Sequence, residues 1–155
     1  MKSMSRWPLP FLLLLAASGC GAAPSQDRST MATTGADKTA ILKRIGLTPP
    51  PSAQIEYADY TNGMDDAARL LLVMPQGDWT AFLAGIVRRA PRAPEFGEDL
   101  NFALGPDRQG WNPNAARGLK TGQVAWSVNE SEYLNIGVAP AGDGKVRVFL
   151  FWHQT

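Results

Sequence analysis

The sequence predicts an α+β fold: a single antiparallel sheet of about five strands, built as a hairpin, a helix and a three-stranded meander, with one or two helices on one face. Three observations lead there. Segments 123–128, 133–139 and 145–153 alternate apolar and polar residues and are separated by turn-rich tetrapeptides. Asn62-Gly63 stands between an alternating segment and an apolar run, the usual signal of a tight hairpin. Two other segments space their apolar residues at helical intervals.

Taken in order, Asp37 to Ile45 reads as the first helix. Thr34 or Asp37 is placed to cap it, Ile41 and Ile45 share a face, and Gly46 is a natural terminator. Thr48-Pro49-Pro50-Pro51 then imposes an extended connector. Gln54 to Thr61 alternates, with Ile55 and Tyr57 on one side and Glu56 and Ala58 on the other. Past the Asn62-Gly63 turn, Ala68 to Met74 is almost wholly apolar, so its strand should be buried on both faces. Asp78 is placed as N-cap for a helix from Trp79 to Val87, with Trp79, Phe82, Leu83 and Ile86 at core spacing.

Arg88 to Gly122 carries four prolines, several glycines and scattered large apolar residues, without periodicity. A stretch of that length inside a compact domain marks function or packing against the body. The meander follows. Val124, Trp126 and Val128 share one face, and Asn129-Glu130-Ser131-Glu132 turns. Leu134, Ile136 and Val138 share the next face, Ala141-Gly142-Asp143-Gly144 turns, and Lys145 to His153 closes the sheet.

All fourteen acids and all but two of the fifteen bases (Lys2 and Arg6) follow Cys20, so the side-chain charge beyond it is −1 with His neutral. That balance offers no basic footprint for nucleic acid. The length suits one domain with one core. With a single cysteine, no internal disulfide supports that core.

The first twenty residues follow another logic. Lys2 and Arg6 precede an apolar run from Trp7 to Ala17 that is too short to span a bilayer as a helix. Small residues Ala16-Ala17-Ser18-Gly19 follow, then Cys20. A basic lead, a short apolar run and small residues make a secretory signal peptide. Ser18-Gly19-Cys20 resembles the lipobox of bacterial lipoproteins, with Ala17 where that class more often has Leu. The resemblance implies diacylglyceryl attachment (palmitate-type chains) at Cys20, cleavage between Gly19 and Cys20, and anchorage to a membrane, with Gly21 favouring the outer membrane, facing the periplasm, in a double-membrane cell. The expected division is then 1–19 signal peptide, 20–36 lipidated cysteine and flexible tether, and 37–155 globular domain. Gly46-Leu47-Thr48-Pro49-Pro50 and Gly63-Met64-Asp65-Asp66-Ala67 also resemble stretches in small bacterial lipoproteins, which implies no activity.

No motif points to a catalytic set, a metal or another cofactor. Asp65-Asp66 with Asp59 is the densest acidic spot, but adjacent strand residues face opposite ways. His153 is the only histidine and has no Gly-x-Ser-x-Gly elbow to serve. Asn129-Glu130-Ser131 fits a glycosylation pattern and reads here as a turn. Arg88, Arg89 and Arg92 form a basic cluster, expected either to pair with Glu95, Glu98 and Asp99 or to meet an anionic surface. The leading expectation is a non-enzymatic binding module of the cell envelope. Its partners would be the membrane lipid through Cys20 and an envelope protein, the cell wall or a toxin. Phe96, Phe102 and Trp111, with the three arginines, would form the contact surface. The alternative is an envelope enzyme with a carboxylate-based site near the 56–69 hairpin, using Glu56, Asp59, Asp65, Asp66 and Arg69. A purely structural envelope component is the third reading.

Overall fold

The computed structural model describes residues 35–98, 103–129 and 131–155. Cys20, the signal-peptide segment, residues 20–34 of the expected tether and Phe102 lie outside the described residues, while Gly35 and Ala36 at the end of that tether already belong to the first helix. The elements are α1 (Gly35–Ile45), β1 (Gln54–Thr61), β2 (Ala67–Pro75), α2 (Gln76–Arg89), a 3-10 turn (Pro113–Ala115), β3 (Lys120–Ala125), β4 (Glu132–Gly142) and β5 (Lys145–Gln154). One open sheet forms with the order β1-β2-β5-β4-β3, and every neighbouring pair is antiparallel. The predicted α+β class, hairpin and meander are all present.

Period-2 alternation divides the sheet into two faces. Ala68, Leu70, Leu72 and Met74 of β2, Val146, Val148, Leu150 and Trp152 of β5, and Leu134 and Ile136 of β4 point to one side. There they join Ile41 and Ile45 of α1 and Trp79, Phe82 and Ile86 of α2 in the main core. Leu71 and Phe149 point to the other side and pack with Leu104 and Trp111 in a second, smaller core. β2 is therefore buried on both faces, as its unbroken apolar run requires.

The segment after α2 supplies that second layer. Gly97 and Thr121 exchange backbone hydrogen bonds of 3.2 and 3.1 Å, so the chain pairs briefly with the outer edge of β3. Residues 103–119 then form a strap across the second face. A Cβ on Gly137 would lie 2.6 Å from Leu104 Cδ1, which shows how closely strap and sheet approach.

Several local expectations are corrected. A register shift between Ile55 and Tyr57 puts Ile55 on the helix side with Ala58 and Tyr60, and leaves Tyr57 on the strap side. The extra residue of a bulge reverses the alternation beyond it. Thr61 pairs with Ala67, so the first hairpin loop is residues 62–66 rather than a two-residue Asn62-Gly63 turn. α2 begins directly from β2, with Pro75 at the N-cap position and Gln76 N–H donating to Gly144 O at 2.9 Å. Asp78 is no cap; its carboxylate accepts from the Ser52 hydroxyl. β3 ends at Ala125, and Val128 is fully exposed because Ser127 turns the chain early, its Oγ accepting from the N–H groups of Ser131 and Glu132. The last hairpin is tighter than the tetrapeptide suggested. Gly142 pairs with Lys145, and Asp143 and Gly144 both have positive φ, the requirement of a two-residue primed turn.

Candidate functional site

The strap is held by its own short pairing. Arg108 N–H donates to Trp111 O at 2.8 Å and Trp111 N–H donates to Arg108 O at 2.9 Å. The tight loop between them needs Gly110 at φ +82, where a Cβ would also lie 2.9 Å from the Tyr57 ring. Trp111 is fully buried, its Nε1–H donates to Leu104 O at 3.1 Å, and its ring meets Phe149 edge-on. Trp111 is therefore a core side chain with no surface to offer a partner, which corrects its expected place in a contact patch. With its amide oriented to suit two neighbouring carbonyls, Asn112 donates to Arg108 O and Trp111 O at 2.8 and 3.0 Å.

Where the strap meets β1 and β2 it covers a charged cluster. Asp59 and Arg69 are opposite one another in register and both are buried. Asp59 Oδ2 accepts from Tyr57 Oη at 3.1 Å and from Arg108 Nη1 at 3.3 Å, and lies 3.5 Å from Arg69 Nη1. The Arg69 guanidinium sits over the Phe151 ring at 4.8 Å and beneath Gly105. Asp59 Oδ1 and Arg69 Nε and Nη1 have no hydrogen-bond partner. Burial, then the neighbouring Asp59 carboxylate, raises the Tyr57 hydroxyl pKa.

The other hairpin acids do not join this cluster. Asp66 is buried at the far end of the hairpin, where Tyr60 and Arg44 donate to Oδ2 and Gly63 N–H donates to Oδ1 at 3.3 Å. The Tyr60 hydrogen bond, followed by those from Arg44 and Gly63, holds its carboxyl below the usual range despite burial. Asp65 and Glu56 are exposed. The acids suspected as one site are thus divided between two places, and two of them are held by cations and tyrosines.

The two ends of the sheet differ in character. At one end α1 begins, with Lys38 Nζ donating to Ile55 O at 2.8 Å, and α2 begins beside Gly144. At the other end both helices finish. Trp126 Nε1–H donates to Ile45 O at 2.7 Å, and Arg89 donates to Gly46 O at 2.6 Å while lying 4.4 Å over the Trp126 ring. Arg88 and Arg92 are exposed, and none of the three arginines forms an ion pair with Glu95 or Glu98. The expected internal pairing with those two acids is absent; Arg89 instead serves the helix junction. The same end carries the 62–66 loop with fully exposed Met64 and the 127–131 turn with Val128. Phe96 is half-buried and packs edge-on against Trp79, closer to core than to contact surface.

His153 pairs in register with Tyr133 and Ala67, and its ring stacks between Tyr133 and Phe151 on the strap face. Burial lowers its pKa, opposed by a backbone interaction with Gln154. Among the described residues no three His, Cys, Asp or Glu side chains converge to hold a metal, and no helix is long and apolar enough to cross a membrane. Arg108 and Tyr57 were not expected as partners of Asp59: the alternation of β1 puts Tyr57 on the Asp59 face two residues away, whereas Arg108 comes from the aperiodic strap, which leaves no sequence signal. The fold and its buried cluster define a small α+β domain with a strapped sheet face. Compared with protein-family models, curated proteins and solved structures, the chain matches none significantly.

Proposed function

We propose that this chain is a lipid-anchored binding module of a bacterial envelope, exported by its signal peptide and held through Cys20. The observation that carries the reading is the opposition of the two ends. The chain enters α1 beside Ile55, while Arg88, Arg92, Met64 and Val128 are exposed at the other end. A domain tethered at its entry end presents the arginines and loop tips away from its anchor, toward a partner protein. Arginine and exposed apolar side chains are the residue types that anchor such contacts. A tether of about 15 residues spans on the order of 20 Å, enough to lift the domain clear of lipid headgroups.

Support against the carboxylate-enzyme reading comes from the hairpin acids. Asp59 and Asp66 are committed to buried hydrogen bonds and ion pairs rather than to an open cleft. The test is site-specific photo-crosslinking in intact envelopes. Photoreactive residues at Met64, Arg92 and Val128 should trap one protein partner, and those at Asp143 and Lys145 should not. Equal trapping at both ends, or none at the first three positions, contradicts the proposal.

A further inference from the structure

Beside the strap lies a cavity of about 290 Å³, separate from the far-end surface. Its floor is apolar, formed by buried Leu71 and Phe149, and Gly110, Ala115 and Ala116 of the strap wall it. Two charged side chains reach it, Arg147 and Glu56. Arg147 stands in register between Val73 and Ala139, on the strap face of β5. Its Nε is buried without a hydrogen-bond partner, and among the described residues Arg147 forms no ion pair, with Glu56 or any other acid. Asn112 also lines the cavity, but its amide hydrogens are spent on Arg108 and Trp111.

A buried guanidinium N–H lacks an acceptor here, and a carboxylate matches it best. The Glu56 charge on the same cavity disfavours a doubly charged anion. The apolar floor asks for a hydrocarbon body, and the volume lies at the small end of ligand sites. We propose that this cavity binds a small monocarboxylate, its carboxylate on Arg147 and its apolar body over Leu71 and Phe149.

The experiment uses the full chain with Cys20→Ser, so that no lipid is attached, labelled with ¹⁵N and titrated with hexanoate, hexanamide and hexyl phosphate. Hexanoate should shift the amides of Leu71, Gly110, Ala115 and Phe149 saturably, with a Kd on the order of 1 mM or tighter. Arg147→Gln should weaken it about tenfold or more, the loss of a charge-assisted hydrogen bond. Ala115→Leu should fill the cavity and abolish binding with Arg147 intact, which keeps the test valid if Arg147→Gln fails to fold. Absence of saturable shifts, equal binding of hexanamide, tighter binding of hexyl phosphate, or binding unchanged in either variant overturns the proposal.

Discussion

Asp59 shows how one buried acid organises its surroundings. It sits among Tyr57, Arg69 and Arg108, and both its side chain and that of Arg69 are almost wholly shielded from solvent. Removing one partner of a buried pair leaves the other charge uncompensated, so Asp59→Ala should destabilise the domain by about 3–5 kcal/mol in urea unfolding. Arg147→Met, which breaks no pair, should be neutral or stabilising in the same assay. His153 gives a pH dependence of definite sign. Its folded pKa lies below its unfolded one because burial disfavours the imidazolium. The unfolded state therefore binds the proton first, and stability falls as pH drops through the ordinary histidine value of about 6.5. Asp66, also with a lowered pKa, adds a second loss on the same side, deeper in the carboxylate range. Melting temperatures across this pH interval should flatten above the carboxylate range in His153→Gln, while Asp66→Asn should spare the histidine step.

At the scale of elements, the edge of β3 depends on a glycine. A Cβ at Gly122 would lie 2.8 Å from Glu95 O and 3.2 Å from the Phe96 ring. Gly122→Ala should displace the 95–97 segment, break the Gly97–Thr121 bridge and cost about 1–3 kcal/mol. Faster hydrogen exchange at Gly97 and Thr121 checks it. The regular elements were legible in the sequence because each buries a face with its own period: the apolar run of β2, the alternations of β4 and β5, the spacing of Trp79, Phe82 and Ile86. The charged cluster was not. A two-residue turn at Asn62-Gly63 would set Asp59 opposite Asp66, two like charges, whereas the five-residue loop sets Asp59 opposite Arg69. The bulge after Ile55 is equally silent, being a register property of two strands. Trp111 looked like a surface aromatic because its segment has no period. It is a core residue because the strap, whose regular structure is limited to a short bridge and a 3-10 turn at Pro113–Ala115, is pinned by what it buries.

At the scale of the whole molecule, sheet, helices and strap make three layers, with entry at one end and exposed arginines and loop tips at the other. The leader pattern of residues 1–20 and this polarity are independent observations, and the proposed function joins them. Cys20→Ala should release the domain from the membrane fraction or stop its processing, read by fractionation and immunoblot. The more direct measurement is the intact mass of protein extracted from membranes with detergent. The mass should show loss of Met1 to Gly19 and acyl chains on Cys20; a retained leader or an unmodified Cys20 thiol would overturn the lipid-anchored reading.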